Sequence, residues 1–108
     1  MDTDEQILAR LRTQVEKDEV RVTQHAHQEM VEEEISLNDI YEAVASARIV
    51  ENYPEHRRGA CCLIAGYTSN ERPLHVVCTT GKPVLIIITA YEPKPPKWRT
   101  PFQREQGR

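Results

Sequence analysis

The sequence is poor in several features that mark large protein classes. Only 4 of its 108 residues are glycine, so Gly-rich loops that cradle nucleotide phosphates are not expected. No apolar run approaches the roughly 18 residues that cross a bilayer, and the acidic residues 1–5 do not form a secretory signal. The three cysteines have neither disulfide-framework nor zinc-knuckle spacing, since Cys61 and Cys62 are adjacent. We therefore expect a cytoplasmic protein with free thiols.

Positive charge is scarce in the first half of the chain and prevails in the second. The net charge of −3 divides into a balance of −8 over residues 1–47 and +5 over residues 48–108. A face that binds a polyanion is therefore expected in the second half. The alternative is that each half is simply solvated by its own charges.

Capping signals predict three helices in the first half. Thr3-x-x-Gln6 and Ser36-x-x-Asp39 resemble capping boxes, and each precedes apolar residues spaced along one helical face. Thr23 can cap a helix between them, directly after a short extended piece at residues 20–22. The predicted helices span residues 4–18, 24–33 and 37–46.

Runs of β-prone residues fill the second half. The predicted strands span residues 49–53, 61–68, 74–79 and 84–91. Parallel neighbours need a crossover of about a dozen residues, so the short links between these runs predict a four-stranded antiparallel sheet. Prolines between positions 93 and 101 are expected to exclude regular structure from the tail. The prediction is thus a single α+β domain, with an N-terminal helix within residues 1–19, a core over 20–99 and a flexible tail over 100–108.

Short motifs follow one another in a fixed order between residues 23 and 99. They are Thr23-Gln-His25-Ala26, Met30, Ile35-Ser36-x-x-Asp39-Ile40, Ile49-Val-Glu-Asn-Tyr53-Pro54, Pro73-Leu-His75-Val-Val77, Ile88-Thr-Ala-Tyr91-Glu-Pro93 and Trp98. This ordered set resembles a family of uncharacterised bacterial domains in the RelE-like and MqsR-like toxin superfamily. The resemblance implies a RelE-like fold, with two helices packed on a curved antiparallel sheet.

The resemblance also implies a function. By this resemblance the chain is expected to be a metal-independent endoribonuclease that needs no cofactor. It would cleave single-stranded RNA as the toxin of a toxin–antitoxin pair. The implied protein partner is an antitoxin encoded beside it, often a zinc-finger protein. At Glu29 and Glu33 the sequence departs from the resemblance, because arginines are common there in the family. This acidic rim favours the alternative of a catalytically inactive RelE-like protein-interaction module.

Three residues are candidates for catalysis. Metal-free RNA cleavage needs a base for the 2′-hydroxyl proton and an acid for the leaving 5′-oxygen. His25 falls in the first turn of the second predicted helix, whose dipole favours a neutral imidazole, and His75 falls in a strand on the same side as Val77. Tyr91, at the end of the longest strand, can donate to a phosphate or stack on a base. The alternative for all three is a packing or capping role.

Cations and one indole in the second half are candidates for RNA binding. Mixed cationic and aromatic side chains suit a single-stranded backbone. The alternative is a tail that docks its tryptophan into an apolar groove. The candidate residues are Arg57, Arg58, Lys94, Trp98 and Arg99.

Overall fold

The computed structural model describes residues 3–57, 59–94 and 98–104, with the backbone alone for residues 98–100 and 103–104. The elements in chain order are α1 Asp4–Glu16, β1 Val20–Val22, α2 Gln24–Glu32, α3 Leu37–Ala45, β2 Arg48–Tyr53, β3 Cys61–Tyr67, β4 Pro73–Thr79, β5 Leu85–Tyr91, β6 Trp98–Thr100 and β7 Gln103–Arg104. Strands β1 to β5 form one sheet in the order β1-β5-β4-β3-β2, and β6 pairs with β7. The fold is α+β, as predicted.

The sheet has five strands and is mixed, which corrects the prediction of four antiparallel strands. β1 lies parallel to β5, with Val20 opposite Leu85 and Val22 opposite Ile87. The short-link argument holds for β2 to β5, which are antiparallel. It does not apply to β1, because two helices and three strands separate β1 from β5 and supply a connection long enough for parallel pairing.

The predicted caps form at all three helices. The Thr3 and Ser36 capping boxes are complete, and the Thr23 hydroxyl accepts from the Ala26 backbone N–H. α1 and α2 each end in a Schellman motif, with a non-glycine residue in the left-handed region at Asp18 (φ 57°) and Glu34 (φ 56°). The hydrogen bonds that begin these helices and end α1 and α2 therefore join residues within a few positions of each helix boundary.

The three helices cover one face of the sheet. Alternation places Leu74, Val76 and Cys78 of β4 in the core beneath them, and His75 on the other face, as predicted. α3 lies close against β3 at Gly66, where a Cβ would lie 2.0 Å from the Ala43 carbonyl oxygen. The other face, which carries the side chains of alternate residues from β3, β4 and β5, is called the open face below.

α2 completes the outer edge of β5 beyond the end of β1. The Glu29 carboxylate accepts from the Ala90 backbone N–H at 3.0 Å, and the Glu33 carboxylate accepts from the Glu92 N–H at 2.9 Å. Arg72 pairs with the Glu92 carboxylate at 2.9 Å and donates to the Glu33 carbonyl at 2.5 Å. One carboxylate of α2 and one of its C-cap thus accept from backbone N–H groups that an edge strand would otherwise expose.

β6 and β7 form a hairpin over residues 98–104, called the C-terminal hairpin below. Trp98 pairs with Arg104 and Thr100 with Gln103. The prediction that prolines exclude regular structure from this region is wrong for these residues, because Pro101 stands in the turn, where it needs no ladder N–H. The predicted flexibility of residues 105–108 concerns positions outside the described residues.

The three cysteines are free and buried. Cys62 lies directly opposite Cys78 across β3 and β4. A hydrogen bond with Cys62, together with burial, raises the pKa of the Cys78 thiol well above its ordinary value. Within the described part of the chain, no helix is long and apolar enough to span a membrane.

Candidate nucleic-acid interface

A cleft of about 510 Å³ opens on the open face of the sheet. Its floor is mainly apolar and comes from the start of β3, the end of β4 and the first half of β5. Its rim carries cations from two loops. The lining residues are Thr23, His56, Arg57, Gly59, Cys61, Val77, Thr79, Lys82, Ile86 and Ile88.

The two loops at the rim meet because of strand direction. In an antiparallel array, the β2–β3 loop and the β4–β5 link lie at the same end of the sheet. Gly59 turns the first loop with φ +109°, a conformation that favours glycine, and its N–H donates to the His56 carbonyl at 2.8 Å. A Cβ at Gly59 would lie 3.4 Å from Cε of Lys82, so the lysine side chain runs across this turn.

α1 holds the link that carries Lys82. The buried Gln14 amide donates from Nε2 to the Lys82 carbonyl at 2.8 Å. The Arg10 guanidinium donates to the Thr80 carbonyl, two residues earlier in the link. The Leu85 N–H donates to the Glu19 carbonyl at 2.9 Å, just after the link. The backbone beneath Lys82 is therefore bonded to α1 and to the turn that follows α1.

The hydroxyl groups of the cleft have distinct roles. Thr23 donates from Oγ1 to the Ile88 carbonyl at 3.2 Å and accepts from the Ala26 N–H at 3.1 Å, so it links β5 to the start of α2. Thr79 Oγ1 accepts from the Ile86 N–H at 3.0 Å. Because its oxygen is the acceptor in this bond, the Thr79 hydroxyl can donate its proton to a different group. Burial raises the pKa of the Cys61 thiol, so this part of the floor stays uncharged at neutral pH.

The electrostatic character of the cleft differs from that of the whole chain. Asp and Glu outnumber Lys and Arg by 17 to 14 in the sequence. The described lining residues nevertheless include Arg57, Lys82 and His56 and no carboxylate. His56, Arg57 and Lys82 are exposed, and the low-dielectric apolar floor beside them focuses their positive potential into the cleft. The arrangement suits an anionic group held next to a flat apolar one.

The predicted catalytic histidines lie in different surroundings. The His25 side chain is 67% exposed on α2, with Nε2 3.5 Å from the Glu29 carboxylate. His75 is 0% exposed on the open face. Its Nε2 hydrogen-bonds the Pro101 carbonyl and its Nδ1 lies 3.2 Å from the Tyr91 hydroxyl. The structure brings His75 and Tyr91 together, and it places His25 on the helical layer.

The ring nitrogens of His75 are both used. A carbonyl oxygen only accepts, so Nε2 donates to Pro101 and Nδ1 of the neutral ring accepts from the Tyr91 hydroxyl. The two rings are tilted by 43° with centroids 5.3 Å apart. Neither His75 nor Tyr91 lines the cleft. This pair is therefore part of the packing of the open face in the structure described here.

The predicted RNA-binding residues are spread along the second half. Arg57 lines the cleft. Lys94 is exposed just after β5, and Trp98 and Arg99 belong to β6. Arg58 lies outside the described residues. Of the two predicted residues whose side chains the structure describes, Arg57 and Lys94, only Arg57 thus contributes to the cleft.

Sequence reasoning missed His56 and Lys82. Each lies in a short link between strands, and neither belongs to a motif. Strand direction could have predicted them. In an antiparallel sheet the link after β2 and the link after β4 lie at the same end. With both links placed there, their cations become candidates for one rim.

Comparison with known proteins identifies a family and no individual relative. Residues 22–92 match the family DUF4258, described as a domain of unknown function. No curated protein and no solved structure matches the chain. The described lining residues of the cleft all fall within residues 22–92, whereas α1 and the C-terminal hairpin fall outside. Among the described residues, no group of three His, Cys, Asp or Glu side chains is placed to hold a metal ion.

Proposed function

We propose, since the chain belongs to the DUF4258 family and carries an acid-free cationic cleft within the matched segment, that it binds single-stranded RNA on the open face. The bound RNA is then cleaved without a metal ion. In this proposal the protein is a RelE-like endoribonuclease of a toxin–antitoxin pair and acts in the cytoplasm. The convergence of Arg57, Lys82 and His56 on one cleft carries the proposal.

Binding uses the two parts of the cleft differently. A phosphate of the RNA lies between Arg57 and Lys82, which come from separate loops and can approach it from two sides. A base lies on the apolar floor, where Ile86 and Ile88 exclude water from one of its faces. The volume of about 510 Å³ falls within the roughly 300–1,000 Å³ of small-ligand sites.

For cleavage in this site, we assign the proton transfer to His56. Histidine suits such a role near neutral pH. The 2′-hydroxyl gives its proton to His56 as its oxygen attacks phosphorus and the bond from phosphorus to the 5′-oxygen breaks, and the leaving 5′-oxygen takes up a proton from water. Arg57 and Lys82 stabilise the charge that develops on the phosphate, and the Thr79 hydroxyl can donate to it. His56 replaces His25 and His75 as the proposed catalytic histidine because it lines the cleft.

The experiment is cleavage of a labelled single-stranded RNA by the full chain in EDTA. We expect products with 2′,3′-cyclic phosphate and 5′-hydroxyl ends. His56→Ala should lower the cleavage rate by about 10²–10⁴-fold, the range for loss of a general acid or base. The control is His27→Ala, since His27 is exposed on α2 and does not line the cleft. A rate lost in the His25→Ala, His75→Ala double variant and retained in His56→Ala would favour the assignment made from sequence.

A catalytically inactive RelE-like module that binds a protein partner, such as an antitoxin, is the second candidate. The acidic positions Glu29 and Glu33 favour it, because arginines are common there in the family that the sequence resembles and both carboxylates instead bond the backbone at the edge of β5. Induced expression in bacteria separates the two candidates. The nuclease should arrest growth, with relief by a co-expressed antitoxin from a neighbouring reading frame, whereas the inactive module should leave growth unchanged.

A further inference from the structure

A further cation, Arg21 of β1, lies on the open face beside the cleft. β1 and β5 pair in parallel, with Arg21 opposite Ile86, which lines the cleft. Val20 and Val22, on either side of Arg21, pack against the core beneath the helices. Because successive side chains of a strand alternate between the two faces of a sheet, the Arg21 side chain belongs to the open face, next to that of Ile86.

Arg21 lies at the same end of the sheet as the cations of the cleft rim. β5 begins at Leu85, just after the link that carries Lys82, and Ile86 follows directly. Neighbouring strands are about 4.8 Å apart, so the backbone of Arg21 lies one strand spacing beyond the cleft floor, on the side away from β4. Arg57 comes from the β2–β3 loop, on the opposite side of the cleft. Across this end of the sheet, Arg21, Lys82 and Arg57 therefore form one row.

The Arg21 guanidinium is accessible to an anion. The side chain is exposed, and within the described part of the chain no acidic side chain, that of Glu19 included, forms an ion pair with it. Arg10 and Arg12 of α1 differ from it, because their guanidinium groups donate to backbone carbonyls. An arginine on an edge strand can also serve only to discourage pairing with another chain, and this alternative is separated by the experiment below.

We infer that Arg21 belongs to the same RNA site and binds the phosphate next to the one that lies between Arg57 and Lys82. The inference rests on the proposed function, because it extends that site and defines its ligand. The RNA crosses the strands from the β2–β3 loop over the cleft to β1, with its backbone along the row of cations. A guanidinium suits this position, since it can bond two phosphate oxygens at once. The ligand is thus an oligonucleotide with at least two successive phosphates, and a mononucleotide occupies the cleft alone.

The test compares two ligands on the full chain. The first is a labelled single-stranded RNA of about ten nucleotides with 2′-O-methyl groups, which cannot be cleaved, measured by fluorescence anisotropy. The second is uridine 3′-monophosphate, which carries a single phosphate, measured by NMR titration. For the oligonucleotide, Arg21→Gln should reduce the slope of log K against log salt concentration by about 0.7, or about 2.6-fold in affinity between 50 and 200 mM salt. Arg21→Gln should leave the affinity for the mononucleotide unchanged, whereas Lys82→Gln should weaken the binding of both ligands.

Arg21→Lys, which keeps the charge, should retain the wild-type slope, and Lys17→Gln removes the same charge at the end of α1. A slope for Arg21→Gln equal to that of the wild type or of Lys17→Gln would overturn the inference and leave RNA binding at the cleft standing. Equal losses of mononucleotide binding in Arg21→Gln and Lys82→Gln would also overturn it, because both residues would then bind one phosphate. No binding of either ligand by the wild type would overturn the proposed function and the inference with it. If Arg21→Gln does not fold, Arg21→Thr replaces it, since threonine suits a strand, and the same results are expected.

Discussion

Neutralising one cation of the cleft should change the salt dependence of RNA binding by a definite amount. Each phosphate contact on a single strand contributes about 0.7 to the slope of log K against log salt concentration. Arg57 and Lys82 together account for a slope of about −1.4, or roughly a sevenfold loss of affinity between 50 and 200 mM salt. Lys82→Gln should reduce their share to about −0.7, or a loss of about 2.6-fold over the same range.

The assay is fluorescence anisotropy of a labelled single-stranded RNA titrated with the full chain at five salt concentrations. The wild type and Lys82→Gln should approach equal affinity near 1 M salt, where the Debye length is about 3 Å. The remaining affinity reflects the base on the apolar floor, which the substitution does not touch. Affinity is measured with His56→Ala as the background if cleavage interferes.

The matched control is Lys17→Gln, since Lys17 is exposed at the end of α1 and does not line the cleft. Both variants remove one positive charge from a chain whose net charge is −3. Net charge alone would therefore change the slope equally in both. Equal slopes for Lys82→Gln and Lys17→Gln would refute the placement of a phosphate at Lys82.

Three further predictions concern the fold that carries the site. Gly66→Ala should lower the free energy of unfolding in urea by about 3 kcal/mol, because its Cβ would lie 2.0 Å from the Ala43 carbonyl oxygen; Gly81→Ala, with nothing within 4 Å, should change it by less than about 0.5 kcal/mol. Glu34→Gly should raise it by about 0.5–1 kcal/mol in the same assay, because φ is 56° there, and an unchanged value would contradict this reading of the α2 terminus. Burial and the adjacent Asp18 carboxylate raise the pKa of Tyr41 to about 12, against about 10 in the unfolded chain. The stabilisation is complete below pH ~10 and is lost as pH rises through ~12, so the wild type should lose stability relative to Tyr41→Phe across that window, and a constant difference would refute it.

The helices were predictable because their determinants are local. The hydroxyl groups of Thr3, Thr23 and Ser36 each bond a backbone N–H three residues along the chain, so the sequence window that contains the cap also contains its partner. The alternation of β4 was predictable for the same reason. His75 was expected on the face away from Leu74, and it lies there.

The enclosure of His75 was not predictable from strand periodicity. Alternation determines the side of the sheet to which a residue belongs, and a second segment determines whether that side is covered. Here the cover comes from Pro101, which lies 26 residues further along the chain. The prolines of the tail predict a break in regular structure, although a proline in a turn allows a strand on either side of it. His75, a candidate for catalysis because of its imidazole, is therefore enclosed by a segment that its prolines predict to be irregular.

The cleft depends on contacts between residues that lie still further apart in the sequence. β1 pairs with β5 over more than 60 residues, and this pairing brings Thr23 to the edge of the cleft. Gln14 bonds the carbonyl of Lys82 across 68 residues. No local pattern encodes such pairs. Only the placement of Arg57 and Lys82 at one end of the sheet follows from strand order.

The family match includes the described residues that line the cleft and leaves out two segments that contact its surroundings, α1 and the C-terminal hairpin. Residues 22–92 contain every described lining residue of the cleft. α1 and the C-terminal hairpin lie outside that segment, yet each contacts an element that borders the open face. α1 bonds the link beneath Lys82, and the hairpin covers the end at His75. The described lining of the cleft thus lies in the shared domain, while the contacts that hold its Lys82 link and cover its neighbour His75 come from segments beyond that domain.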